Sequence, residues 1–439
     1  MLSRCRGRDM AHLRLAPTRA GPNARLDDQH HPQDLSVPFR AGPSPLPRGS
    51  SPPPVPRLAP PMMLEVRVFS LRNSRKRTRT GVSAVAVFAA LSLAACSSGD
   101  GGSDGAATGT PDGDSGDDVQ LVLAIRSLSN PYHANWVEGA EIFAESVDKD
   151  LTVLSDDGDS QKQLSQIRSL IASGQTIALN VDPNTSSDTQ AIVRAVTDAG
   201  GYVVTQWNKP DDLLPPDVGD NWVSHISFDG DESGYQIATA LFEEMGGEGG
   251  IIALQGILDN VPAQQRFAGL QRALEEYPDI ELLDDQTAQW DRNTGYSVTQ
   301  TLLTKHGEDV QGIWAANDNM ALGALEALKA AGRGGGEVPI VGVDAVPEAL
   351  DEISSGENGY LATVTTDAWW QGGAPLALAY QAAIGEYDVA DASDEQRAFY
   401  GTQFLVTQDN VDEHMSAPTA EELQPDLDDP FLRSVGPIE

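Results

Sequence analysis

The chain has 439 residues, too many for one ordinary domain and enough for two well-packed cores. Its formal net charge of −36 is unevenly spread: residues 1–95 hold 15 of the 29 Lys and Arg but only 5 of the 65 Asp and Glu, so the remainder carries −46. Such a surface repels phosphate backbones and argues against a nucleic-acid partner, and the only cysteines, Cys5 and Cys96, precede the part patterned for folding, which leaves no disulfide or thiolate metal site there. An acidic, lysine-poor surface also keeps a protein soluble through self-repulsion that salt relieves, as in a salt-rich habitat.

In chain order, residues 1–61 are rich in Pro, Arg, Gly and Ser without sustained periodicity, a composition of disorder. Met62 and Met63 then precede a basic segment up to residue 80 (Arg72, Arg75, Lys76, Arg77, Arg79), an apolar run from Gly81 to Ala95, and Leu93-Ala-Ala-Cys96. A basic region, a short apolar region and small residues before a cleavage point make a secretory signal, with a run too short for a comfortable membrane span. A start at Met62 or Met63 gives a signal of ordinary length, so residues 1–61 are expected to be a mis-assigned start. Leu93-Ala-Ala-Cys96 resembles a bacterial lipobox, which implies lipidation of Cys96 and a membrane-anchored, extracytoplasmic product. Residues 97–118, built of Gly, Ser, Asp, Ala and Thr with one Pro, read as a flexible tether of roughly 25 Å reach.

Beyond the tether, short apolar runs alternate with helical patterns. The predicted strands are Val119–Ile125, Leu151–Ser155, Thr176–Val181, Tyr202–Gln206, Val223–Phe228, Gly250–Gln255, Ile280–Leu283, Val310–Ala316, Pro339–Val343, Leu361–Thr365 and Gln403–Thr407, with helices such as Ala134–Val147, Gln264–Tyr277 and Met320–Ala331 between them. This alternation predicts an α/β fold with parallel sheets covered by helices on both faces. Eleven strands are many for one open sheet, so two lobes are expected: residues 119–227 plus 367–397, and residues 228–366 plus 398–412, with 413–439 as an acidic tail.

A polar cluster stands at the carboxyl end of nearly every strand, the edge on which open α/β sheets place ligands. These are Ser129-Asn-Pro-Tyr-His133, Asn180-Val-Asp-Pro-Asn184, Gln206-Trp-Asn208, Gln264-Gln-Arg266, Trp290-Asp-Arg292, Asn317-Asp-Asn319, Gly342-Val-Asp344 and Thr365-Thr-Asp367. One such corner is ordinarily a helix cap or turn. Eight on one edge point to a crevice lined by carboxylate, amide, guanidinium and aromatic groups, suited to a polar ligand of little net charge.

Asn130-Pro-Tyr132, Leu254-Gln-Gly-Ile257, Arg266-x-x-Gly269, Trp290-Asp-Arg292, Asn317-Asp-x-Met-Ala-Leu-Gly-Ala-Leu325 and Gly342-x-Asp344 resemble the ribose-binding branch of the type I periplasmic sugar-binding proteins, receptors of bacterial ABC importers. The resemblance runs from about Val119 to Asn410. It implies two Rossmann-like lobes joined by three crossovers, closing by a hinge on a sugar or polyol, and a monomer that delivers its ligand to an ABC permease. Presentation to a membrane chemoreceptor or sensor kinase is the alternative role. It implies ligand-binding roles for Asn130, Tyr132 and His133 in the first lobe, with Asp182 from its own corner. In the second lobe it implies roles for Arg266, Asn317 and Asp344 as hydrogen-bonding groups and Trp290 as a stacking face. Asp318 and Asn319 are expected to cap the helix that follows. Where ribose binders carry Asp-Arg after the fourth strand, this chain has Trp207-Asn208, and Thr366 stands at the family's last glutamine. Both positions are expected in the site, and the departure points away from ribose itself.

No cofactor or metal is expected. His133, His225, His306 and His414 lack helical metal-ligand spacing, and Asp156-Asp-Gly-Asp159 lacks the spacing and terminal Glu of a calcium loop. With no Gly-x-Ser-x-Gly elbow and no cysteine in the head, a solute binder rather than an enzyme is expected.

Overall fold

The computed structural model describes residues 118–438. The signal, Cys96 and all of the expected tether but Asp118 lie outside the described residues. In chain order the elements are β1 (Val119–Ile125), α1 (Pro131–Ser146), β2 (Leu151–Ser155), α2 (Ser160–Ile171), β3 (Thr176–Val181), α3 (Ser186–Thr197), β4 (Tyr202–Gln206), α4 (Pro215–Val218) and β5 (Trp222–Ser227). Then come α5 (Gly230–Glu244), β6 (Glu248–Gln255), α6 (Val261–Glu276), β7 (Asp279–Thr287), α7 (Arg292–His306), β8 (Val310–Ala315), α8 (Asp318–Ala330), β9 (Ile340–Val341), α9 (Pro347–Ser355) and β10 (Tyr360–Thr365). The chain closes with α10 (Ala368–Ala383), α11 (Asp394–Arg397), β11 (Ala398–Gly401), β12 (Phe404–Thr407), α12 (Ala420–Asp428) and β13 (Ser434–Pro437).

These strands form two sheets, ordered β13-β11-β5-β4-β3-β1-β2 and β12-β10-β9-β8-β6-β7. Pairing is parallel throughout except at one outer strand of each sheet, β13 on β11 and β12 on β10. Strip those additions and the first sheet reads 2-1-3-4-5-6 and the second 2-1-3-4-5 in the order of their own strands, so the molecule is one doubly wound unit built twice, with β11 as a sixth parallel strand on the first. Parallel strands covered on both faces must be apolar along their whole length. Leu121 to Ile125 and Ile251 to Leu254 are accordingly buried without interruption.

The chain passes between lobes three times. β5 lies in the first sheet, whereas α5 packs on β8, β9 and β10 of the second; β10 leads to α10, which packs on β1, β3 and β4 of the first. The third passage is the short step from β11 to β12.

The expected boundaries differ from this arrangement at the carboxyl end. Ala398–Gly401, expected in the second lobe, pairs with β5 in the first sheet, with Phe399 fully buried. The expected acidic tail folds back: α12 lies on α1 and α10, and β13 completes the first sheet. Thr419 and Glu422 form a capping box at the start of α12, while Leu423 and Leu427, four apart on one face, are buried against the Gly373 region of α10. Beside the two leucines, the buried Asp426 pairs with Arg433 and Gln381 Nε2 donates to Leu427 O, which fasten the short helix in place.

Glycine sets the helix spacing that positions the cleft. Gly234 of α5 faces the backbone of Arg266 on α6, and Gly269 of α6 faces that of Asp231, so a methyl group at either would collide with the opposite main chain. The helix bearing Arg266 is thereby drawn against the crossover helix.

Candidate functional site

The carboxyl edges of the two sheets face each other across a cleft. From the first lobe it is lined by Arg126, Asn130, Tyr132, His133, Asp182, Trp207 and Asn208, and from the second by Asn260, Pro262, Arg266, Trp290, Asn317 and Asp344. Three of these residues, Trp207 (φ 62°), Trp290 (φ 63°) and Asp344 (φ 122°), hold a left-handed backbone. Such conformations cost non-glycine residues about 1–2 kcal/mol each and persist where side chains must be aimed.

Asn130 caps α1, its Oδ1 accepting from Tyr132 N at 3.1 Å. This cap turns Tyr132 and His133 into the cleft at the first turn of the helix. His133 Nε2 lies 3.3 Å from Asp182 Oδ2, both side chains being more than nine-tenths buried. Asn260 caps nothing with its side chain, yet it holds the lobes together: its Nδ2 donates to Asn184 O at 2.7 Å, and its Oδ1 accepts from Trp290 Nε1 at 2.8 Å. Arg126 Nη2 donates to Asn184 O at 2.9 Å and approaches Asn260 Oδ1 at 3.5 Å. Asn208 Oδ1 accepts from Val261 N at 3.2 Å, a further bond across the cleft.

On the second-lobe side, Arg266 Nη1 donates to Ala316 O at 2.7 Å and lies 3.9 Å from Asp344 Oδ1. Its guanidinium sits between two indoles, 5.2 Å from the Trp207 ring centre and 5.6 Å from that of Trp290. Stacking of this kind holds the planar cation without consuming its N–H groups. Arg266 Nε and His133 Nδ1 are buried without a protein partner, leaving hydrogen-bonding capacity from each lobe. Trp290 is set against Gly256, where any side chain would overlap the indole.

Burial pushes the Asp344 carboxyl up to about 8, against the pull of Arg266 and with the help of repulsion from Asp318. The same desolvation lowers Arg266 from its usual range, partly offset by Asp344. Asp318 is raised to about 6, again by burial, although Tyr360, Thr363 and the Val346 N–H all donate to it. The cavity thus holds an imperfectly neutralised Arg–Asp pair, whose free lone pairs and protons suit neutral hydroxyl groups.

Ten of the eleven residues singled out from sequence surround this one cavity. The eleventh, Thr366, does not line it: its Oγ1 accepts from Gln371 Nε2 at 2.8 Å, behind the wall. Asn317 caps α8 itself, Oδ1 accepting from Met320 N at 3.0 Å while Nδ2 donates to Asp344 Oδ2 at 3.2 Å. The capping expected of Asp318 and Asn319 is therefore corrected. Asp318 ties α8 to β10 and to the start of α9, accepting from Tyr360, Thr363 and Val346 N, and Asn319 Nδ2 donates to Trp290 O. Three lining residues were not singled out: Arg126, Asn260 and Pro262. A signal existed for the latter two, because Asn260-Val-Pro262 after β6 repeats Asn130-Pro131 after β1, a polar N-cap with proline in the first turn. Arg126 directly follows the apolar run of β1, a cation at a strand's carboxyl end.

Residues 121–387 match the periplasmic binding protein domain family. The chain belongs to that family. It is a type I periplasmic sugar-binding protein of the ABC-importer class, in the ribose-binding branch. It is 33% identical over 240 residues to a ribose import binding protein of Haemophilus influenzae, covering 54% of this chain and 77% of the relative. It is 29% identical over 335 residues to a xylitol-binding protein of Mycolicibacterium smegmatis, covering 76% and 87%. Among solved structures, a twin-arginine translocation pathway signal protein from Burkholderia phytofirmans superposes with a TM-score of 0.69 at 42% identity, covering 72% of this chain and 98% of that one. A solute-binding protein from Bacillus halodurans with bound myo-inositol gives a TM-score of 0.58 at 27% identity, covering 70% and 100%. The family is one of solute-binding proteins rather than enzymes. Among the described residues no helix is long and apolar enough to cross a membrane.

Proposed function

We propose that this protein captures a neutral sugar or sugar-like polyol between its lobes outside the cytoplasmic membrane, anchored there through lipidated Cys96, and delivers it to an ABC permease. The observation that carries the reading is the composition of the cleft. Two cations, Arg126 and Arg266, stand beside two carboxyl groups, Asp182 and Asp344, around aromatic faces supplied by Tyr132 and Trp290. This set offers both donors and acceptors to hydroxyls, while the apolar C–H face of a sugar lies well on an aromatic ring. Asn130, His133 and Asp182 on one lobe and Arg266, Asn317 and Asp344 on the other are the proposed contacts. A ligand bridging both sets stabilises the closed arrangement over the open one, which is the signal a permease reads.

The test is calorimetric titration of the head with a panel of pentoses, hexoses, deoxy sugars, polyols and inositols. Micromolar or tighter binding by at least one member, with quenching or enhancement of the cleft tryptophans, is expected. Absence of binding across the panel refutes the reading. Mass spectrometry of the membrane-extracted protein tests the anchor separately, by the presence or absence of a diacylglyceryl mass on Cys96.

A further inference from the structure

At the β4 corner, two side chains with polar atoms, Trp207 and Asn208, face the cleft, and both are occupied by the protein, whereas Arg266 Nε and His133 Nδ1 elsewhere in the cleft are not. Trp207 Nε1 donates to Tyr132 Oη at 2.9 Å, and that hydroxyl donates onward to Gln371 Oε1 at 2.7 Å. Gln371 Nε2 in turn donates to Thr366 O and Oγ1, closing the chain inside the first lobe and its crossover. Asn208 Nδ2 donates to Asp182 Oδ1 at 3.3 Å and to Pro183 O at 3.0 Å, while its Oδ1 accepts from Val261 N. Trp207 packs on Phe228 behind it, ring centres 4.9 Å apart, and faces the Arg266 guanidinium in front. It also separates the cleft from a second pocket lined by the polar groups Lys209, His225, Ser227 and Tyr400. The indole therefore presents carbon to the ligand and screens it from the polar chamber beyond.

We infer that the ligand edge facing this corner carries no hydroxyl, so that the cleft selects a deoxy sugar, or a sugar with one bare ring edge, over its fully hydroxylated counterpart. The inference rests on the reading of the cleft as a sugar site and specifies which sugars it takes. A hydroxyl driven against a wall whose polar atoms are all paired loses its water without gaining a partner. Arg266 Nε on the opposite wall and His133 Nδ1 elsewhere on the first lobe, both unpaired, supply the polar recognition.

The experiment titrates the head with pairs differing by one hydroxyl: L-fucose and L-galactose, L-rhamnose and L-mannose, 2-deoxy-D-ribose and D-ribose, 2-deoxy-D-glucose and D-glucose. The tightest ligand is expected to be a deoxy member, its counterpart binding roughly ten- to hundredfold more weakly. If the tightest ligand is fully hydroxylated and its deoxy partner binds more weakly, the inference is overturned while the sugar-binding reading stands. If none of these sugars nor any panel member binds, both fall. Two variants locate the effect. Trp207→Phe keeps a carbon wall and should keep the preference, whereas Trp207→Asn, a residue tolerant of left-handed backbone, puts an amide there and should narrow the ratio at least fivefold. An unchanged ratio in Trp207→Asn removes Trp207 as the determinant and overturns the assignment.

Discussion

Replacing Asp344 by Asn tests whether the cleft is built for ligand at the expense of its own stability. The carboxyl is raised from 3.8 to about 8, with burial as the leading cause. A raised acid binds its proton more tightly folded than unfolded, so its stabilising contribution is complete below pH 3.8 and is lost as pH rises through 8. At about 1.4 kcal/mol per pH unit the whole window bounds the effect near 5–6 kcal/mol. Replacing the acid by a neutral amide of the same shape should recover roughly 1–3 kcal/mol of this desolvation cost. The opposing effect is loss of the attraction to Arg266. At 3.9 Å that contact is beyond hydrogen-bond length, and Arg266 keeps its bond to Ala316 O, so the burial cost outweighs it. Asp344→Asn should therefore melt a few degrees above the parent at pH 8, with a flatter dependence of melting temperature on pH between 5 and 8. The same variant should bind the cognate sugar about 10–100-fold more weakly, because a charge-assisted acceptor is gone. Scanning calorimetry across pH with parallel titrations measures both. A lower melting temperature at pH 8 with an unchanged slope would refute the reasoning and make the ion pair the structural element.

Asn317→Ala removes the cap of α8 and a bond to Asp344 together, so it should lower the melting temperature by an amount corresponding to about 1 kcal/mol while weakening ligand binding. Asn317→Ser keeps a capping oxygen, and should restore the melting temperature without restoring affinity. Asn260→Ala cuts bonds to Asn184 and Trp290 across and beside the cleft. It should shift the lobes toward the open form, seen as a larger radius of gyration by small-angle scattering and faster ligand release in stopped flow. Leu427→Ala empties a buried site between α12 and α10 and should cost about 2–4 kcal/mol, read by denaturant titration, with earlier proteolysis within residues 413–438.

The parts of this molecule legible in the sequence are those where one local pattern has one physical meaning. An uncharged apolar run ending in a polar corner marks a buried parallel strand reaching the ligand edge, and the runs of β1, β3 and β8 and the corners behind them could be read in that way. Short additions carry no such pattern. Ala398–Gly401 is four residues long, and only its pairing with β5 makes Phe399 part of the core. Leu423 and Leu427 are two apolar residues in an acidic stretch, indistinguishable by composition from a solvated tail until α10 offers them a surface.

The site shows the same limit in its chemistry. Sequence places a residue at the cleft, but the direction of its polar atoms depends on partners far along the chain. Tyr132 and Gln371 are 239 positions apart, and their bond spends the hydroxyl that sequence reading would offer to a ligand. Asn208 is spent in the same way by Val261, 53 positions on, in the other lobe. The consequence is an asymmetry that residue types alone conceal. The first lobe closes its β4 corner in carbon and paired amides, while Arg266 Nε in the second lobe, and His133 Nδ1 away from that corner, are left without partners. Closure on a ligand is then favoured where hydroxyls reach the second lobe and where none reaches Trp207, so ligand orientation follows from which polar atoms the fold has already used.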